Sequence, residues 1–231
     1  MSIICITGPM AAGKNYICSQ YEKQGWLSID ADKTVHKAIE IATPAIKKAF
    51  SEDAKKANLE LSNKDGSLNR RNLGALIFPN PELLAKQESI VYPIIIEETK
   101  KIISQNRGKN IILNATVLYK TPELLNLCEK IIFVTAPLAV RFIRARKRDK
   151  MPFHQIIQRF KSQKNLLKKY QETGIPVEIL INIKKQKKIA ELETKIENVK
   201  NEAGKLFGYM EHEGLIGGIK KYISEKETVP H

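Results

Sequence analysis

At 231 residues, with 42% hydrophobic side chains, the chain can bury a substantial core and is too apolar for disorder along its body. Its 39 Lys and Arg against 25 Asp and Glu give a formal charge of +14, which favours anionic partners; most of the surplus is lysine scattered over solvated helix faces, without aromatic interleaving, so nucleic acid is not an expected partner. Three widely spaced cysteines, Cys5, Cys18 and Cys128, argue against a disulfide or zinc framework, no apolar run reaches the ~18 residues of a membrane span, and no secretory signal is visible, so a cytoplasmic protein with reduced thiols is expected.

An apolar run, Ile3 to Ile6, leads into Gly8-Pro9-Met10-Ala11-Ala12-Gly13-Lys14-Asn15 and then a helix-forming segment from Tyr16 to Lys23. Strand, glycine loop and helix in this order make a phosphate-binding P-loop. A loop of this length wraps backbone N–H groups around an anion while the helix points its positive end at the same place. Lys14 reaches the transferred phosphate in such a site. The motif calls for Ser or Thr after the lysine; Asn15 stands there, and its carboxamide oxygen is the candidate metal ligand.

Gly25 ends the first helix, and Trp26 to Ile29 reads as a short strand that delivers Asp30-Ala31-Asp32 at its carboxyl end, the edge where open parallel sheets gather ligands. One carboxylate there can accept a proton from an attacking hydroxyl and the other can hold metal or orient Lys14; both can also cap the helix that begins near Lys33. Residues 34–106 read as an interrupted helical block. Thr43-Pro44 looks like a helix start, Asn63 to Gly66 like a turn, Leu68 to Leu73 like another helix start, and Glu82 to Ser104 like a long helix with a kink or break near Tyr92 before Pro93. The block exceeds what a crossover needs, which makes it a candidate site for a second substrate.

Apolar strands return at Asn110 to Ala115 and at Lys130 to Thr135, with a short helix at Thr121 to Leu125 between them; continuous apolar runs alternating with helices give an α/β fold with a parallel sheet. Arg141, Arg144 and Arg148 then share one helix face, a guanidinium ridge suited to phosphates and to a mobile lid over nucleotide, with a nucleic-acid patch or a solvated basic face as the other readings. A turn at Met151-Pro152 precedes a helix carrying Gln155, Arg159 and Gln163. Ile179 to Ile183 reads as the fifth strand, Lys184 to Lys205 as a closing amphipathic helix, and 206–231 as an unassigned extension.

The chain resembles the dephospho-CoA kinase family over about residues 2–200. The likeness rests on Ile6 to Lys14, Ile29-Asp30-Ala31-Asp32, Thr43-Pro44-Ala45, Leu68-Asn69-Arg70 with Leu73-Gly74 and Ile77-Phe78, Tyr92-Pro93-Ile94-Ile95, Leu124 to Cys128, Arg144 with Arg148-Asp149, Arg159 with Gln163, and Ile181-Asn182. It implies a P-loop kinase domain over 1–205, with a five-stranded parallel core (1–33, 108–140 and 166–205), a helical CoA-binding region at 34–107 and an arginine-bearing lid at 141–165. It also implies phosphorylation of the ribose 3′-hydroxyl of dephospho-CoA by ATP with Mg²⁺.

Carried onto this chain, the family's catalytic group is Asp32, acting with Lys14, Arg148 and Arg144. ATP falls to Gly8, Pro9, Met10, Ala11, Ala12, Gly13, Lys14, Asn15 and Tyr16, with Arg148 and Asn182, and the acceptor to Asp32, Arg70, Tyr92 and Arg159. The sequence departs from the family pattern at Pro9, Asn15, Tyr92 and the 114–120 segment, where Asn114 and Lys120 replace acids. A weakly active or silent nucleotide- or CoA-binding homologue, and a kinase for another small acceptor, therefore stand beside the first reading. Oligomeric state leaves no mark in the sequence.

Overall fold

The computed structural model describes residues 1–149 and 152–183. The expected closing helix at 184–205 and the extension beyond it lie outside these residues. Strand β1 (Ile3–Thr7) is buried along its whole length, as an unbroken apolar run must be when covered on both faces. The glycine loop follows, then α1 (Lys14–Glu22) and β2 (Leu27–Asp30). The helical block comprises α2 (Ala31–Ala49), α3 (Ser51–Lys56), α4 (Arg70–Ile77) and α5 (Pro81–Gln105). The chain continues through β3 (Ile111–Asn114), α6 (Pro122–Leu125), β4 (Lys130–Thr135), α7 (Leu138–Asp149), α8 (Phe153–Ser162), α9 (Leu166–Gln171) and β5 (Val177–Ile181).

The five strands pair in parallel in the order β2-β3-β1-β4-β5. β1 is central, so its carboxyl end opens between β3 and β4, where the chain order reverses and parallel sheets leave a crevice. The register sets Asn114 level with both Ile6 and Asp30, which lines up three strand ends at that crevice. On one face of the sheet, Cys5, Ile111, Leu113 and Ile131 pack with Ala38, Ala42, Ile46 and Phe50 and with Val91 and Ile95 of α5. On the other face, Ile4, Ile6, Ile112, Ile132 and Val134 pack with Ile17 and Cys18 of α1. A third cluster, Met10, Phe142, Ala145, Ile156 and Phe160, fastens α7 and α8 to the glycine loop.

Three expected boundaries moved. Thr43-Pro44 does not start a helix; Pro44 sits inside α2. Ala38, Ala42 and Ile46 form one fully buried stripe spaced by four residues, and burying that stripe outweighs the single backbone bond a proline removes. Likewise α5 runs through Pro93 without a break, because Val91, Ile95, Thr99 and Ile103 keep one buried face on both sides of it. Its start is well made: Asn80 Oδ1 accepts from the N–H groups of Glu82 and Leu83, with Pro81 in the first turn. The fifth strand lies two residues earlier than its apolar centre suggested, at Val177–Ile181.

Candidate active site

Gly8 leaves β1 at φ +146°, and Gly13 ends the loop at φ +102°. A Cβ on Gly8 would lie 2.0 Å from the Val134 carbonyl oxygen, and one on Gly13 would lie 2.0 Å from Asn182 Nδ2. Both positions therefore require glycine. Between them, Ala11 adopts φ +61°, a left-handed conformation that a side chain makes unfavourable. Lys14 Nζ donates to the Gly8 carbonyl at 3.0 Å, tying the start of α1 to the start of the loop. The N–H groups of the first turn of α1 have no acceptor within the helix, so they are the natural anion donors of the site.

Side chains from three later segments hold the loop. Arg141 Nε donates to the Met10 carbonyl at 2.9 Å, and Gln163 Oε1 accepts from Met10 N–H at 2.7 Å. The Ala12 carbonyl accepts from Arg144 Nη1 at 3.2 Å and Asn182 Nδ2 at 2.9 Å, while Arg144 Nη2 donates to the Asn182 carbonyl. These bonds fix the Met10 and Ala12 peptides on either side of Ala11, while Pro9 offers no N–H of its own.

The arginine ridge is thereby divided. Arg141 is 9% exposed, stacks its guanidinium 4.4 Å from the Phe160 ring centre, and leaves Nη2 buried without a partner. Burial lowers its pKa to about 10, still well above neutrality, so it stays charged as a brace for the loop. Arg144 is half-buried, with burial again lowering its pKa, and Arg148 is exposed.

A cavity of about 520 Å³ opens at the end of the loop, lined by Ala11, Gly13, Tyr16, Arg144, Lys147, Arg148 and Asn182. Arg144 with Lys147 and Arg148 one turn further along α7, and the ring of Tyr16, suit a flat, anionic ligand such as a nucleotide. The structure thus gathers the loop, Tyr16, Arg144, Arg148 and Asn182 around one space. Lys147 lies three residues from Arg144 but beside Arg148, so spacing along the arginine ridge does not single it out.

The expected acceptor residues disperse. Asp32 lies in the first turn of α2, two residues beyond the edge where Asp30 pairs with Asn114. Arg70 reaches back to α2, donating to the His36 carbonyl at 3.4 Å and Glu40 at 3.5 Å, and lines a different cavity with Thr43, Asn63 and Arg71. Tyr92 lines a third cavity with Glu88, Pro93 and Ile96. Burial and a hydrogen bond to Glu88 keep its phenol protonated well above the ordinary range, and Glu88 in turn pairs with Lys120. Arg159 is exposed on α8 and lines none of these three cavities.

Asn15, the expected metal ligand, turns its Oδ1 to Asn114 Nδ2 at 3.0 Å. Among the described residues no three His, Cys, Asp or Glu side chains converge. Mg²⁺ is usually bound by one or two carboxylates together with phosphate oxygens, so these donors do not form a resident metal site. The segment after β3 is pinned instead by Tyr170, fully buried, whose hydroxyl accepts from Leu118 N–H at 2.8 Å and donates to the Thr116 carbonyl at 3.1 Å. Nothing in the spacing of Tyr170 announced that role.

A parallel sheet of this order, with a glycine loop after its central strand and basic helices packed on that loop, defines a P-loop kinase. A crystal structure of a Thermus thermophilus protein aligns at TM-score 0.67 with 23% identity, over 87% of this chain and 97% of that one. A dephospho-CoA kinase from Campylobacter jejuni aligns at TM-score 0.51 with 22% identity, over 87% and 96%. In sequence, the dephospho-CoA kinase of Treponema denticola is 33% identical over 172 residues, 73% of this chain and 76% of that protein. That of Borreliella burgdorferi is 31% identical over 199 residues, 84% and 91%. The family model for dephospho-CoA kinase matches residues 2–185, and the chain belongs to that family.

Proposed function

We propose that the chain transfers the γ-phosphoryl group of MgATP to the ribose 3′-hydroxyl of dephospho-CoA, yielding coenzyme A and ADP. The observation that carries this reading is the single cavity where the glycine loop meets Tyr16, Arg144, Lys147, Arg148 and Asn182, in a chain of this family. The loop amides and Lys14 hold the β- and γ-phosphates, and Asn182 with Tyr16 borders the base. Arg148 and Arg144, on a helix that acts as the lid, neutralise charge on the phosphoryl group as it passes between oxygens. Metal arrives on the nucleotide as part of the co-substrate.

Asp32 orients the 3′-hydroxyl and takes its proton as the new O–P bond forms and the bond to the β,γ-bridging oxygen breaks. Its place in the sequence supports this, two residues beyond a strand end at the carboxyl edge of the sheet. Arg70, Tyr92 and Arg159 contribute to the acceptor side. The reaction belongs in the cytoplasm; among the described residues no helix is long and apolar enough to cross a membrane.

The test is mass-spectrometric detection of coenzyme A and ADP in equal amounts from purified protein, ATP, Mg²⁺ and dephospho-CoA. ADP formed only with a different acceptor in a panel would move the assignment to another small-molecule kinase. A second reading, a silent nucleotide- or CoA-binding protein, draws on the amide pair Asn15 and Asn114. Calorimetric binding of ATP and dephospho-CoA with no ADP formed, even with Mn²⁺, would establish it.

A further inference from the structure

Two of the residues that set this chain apart touch each other. Asn15, the second residue of α1, accepts through Oδ1 from Nδ2 of Asn114, the last residue of β3, at 3.0 Å. Asn114 is 7% exposed and locked between β1 and β2 by the sheet register, whereas Asn15 is exposed. The buried partner therefore dictates how the exposed one is turned. A carboxamide accepts at one end and donates at the other. With Oδ1 engaged by Asn114, the NH₂ group is the end of Asn15 left without a protein acceptor among the described residues, and an NH₂ group attracts phosphate oxygen and disfavours a cation.

We infer that the Asn15–Asn114 pair makes the position after Lys14 a phosphate donor in place of a metal ligand, so that the chain takes up nucleoside triphosphate almost equally with and without a divalent cation. This rests on the reading of the loop as the nucleotide phosphate site. The surrounding charge is net positive: Lys14 lies in the loop and Arg144, Lys147 and Arg148 line the adjoining cavity, against the carboxylate of Asp30 beside Asn114, and β3 itself ends in an amide that brings no negative charge. In such a site a highly anionic ligand is already met by protein cations, so a metal that neutralises it adds little.

Asn114→Asp reverses the polarity of the pair. A carboxylate only accepts, so Asn15 must turn its NH₂ group to it and show Oδ1 to the ligand, and the new charge opposes bare phosphate. The experiment is calorimetric titration of the full chain with ATP, once in EDTA and once with excess Mg²⁺. The wild-type dissociation constants should agree within about fivefold, and Asn114→Asp should bind MgATP about tenfold or more tightly than ATP in EDTA, a coupling of ordinary size. Because a buried carboxylate can unsettle β3, Asn15→Thr provides a second variant at an exposed position; its hydroxyl can ligate metal, and a preference of about tenfold is expected there too. A wild-type preference for MgATP beyond about fivefold, or variants that keep the wild-type indifference while folded, would overturn the inference. Failure of ATP to bind in either buffer would instead overturn the nucleotide reading beneath it.

Discussion

Gly8 and Gly13 bracket the same loop, and an added methyl group would meet a different kind of obstacle at each. On Gly8 the new Cβ would sit 2.0 Å from the carbonyl oxygen and 3.0 Å from the carbonyl carbon of Val134, which belongs to a buried strand paired on both sides. Neither strand can move without disturbing the sheet. Strain at φ +146° adds about 1–3 kcal/mol to an overpacking cost of about 1–3 kcal/mol, so Gly8→Ala should lose roughly 2–6 kcal/mol, towards the upper end because the obstacle is backbone.

On Gly13 the obstacle is Asn182 Nδ2, the end of a side chain that can swing away. The loss there is about 1–2 kcal/mol for the left-handed backbone and about 1 kcal/mol for the Asn182 bond to the Ala12 carbonyl, roughly 2–3 kcal/mol together. Equilibrium urea unfolding of the two variants measures the difference. In an Asn182→Ala background the second contribution to the Gly13→Ala loss should vanish, leaving only the backbone part. Equal losses for Gly8→Ala and Gly13→Ala, or no relief from Asn182→Ala, would refute this account of how the loop is seated.

The remaining predictions address strain, chemistry and pH. Ala11→Gly should raise the unfolding free energy by about 0.5–1 kcal/mol, read as a higher urea midpoint with unchanged slope, since glycine relieves φ +61° and gives back part of that gain as unfolded-chain entropy. Asp32→Asn should lower kcat about 10²- to 10⁴-fold while ATP affinity measured by calorimetry stays within about threefold; an unchanged kcat would remove Asp32 from proton transfer. Burial raises the thiol pKa of Cys18 from 9.0 to about 11 and that of Cys128 from 9.0 to about 12. The folded chain then holds these protons after the unfolded chain has released them, so stability is full below pH 9 and declines as pH rises from 9 through 11 to 12, by on the order of 2 kcal/mol per thiol. A thiol reagent at pH 8 should correspondingly find all three cysteines unreactive until denaturant is added; rapid labelling of any one would contradict its burial.

The glycine loop and the strands around it were legible because their signals are local. Ile3–Thr7 is apolar at every position that a doubly covered strand buries, and Gly8 and Gly13 mark backbone conformations that other residues avoid. Helix boundaries were less legible where tertiary burial opposed local preference, as at Pro44 and Pro93, because a buried stripe along α2 or α5 outweighs one missing backbone bond. By spacing alone the three arginines of the ridge are equivalent cations. Only packing separated Arg141, stacked on Phe160 and bonded to Met10, from Arg144 and Arg148 beside the cavity.

The sequence by itself determined the α/β class, the position of the phosphate loop and the family, since each is carried by neighbouring residues or by matched motifs along the chain. Tertiary structure alone decided which side chains meet: Asn15 with Asn114, 99 residues apart; Asn182 with Ala12, 170 apart; and Tyr170 with Leu118, 52 apart. Such contacts are fixed by strand order and register, and those come from the simultaneous burial of every strand, which no local stretch of sequence encodes.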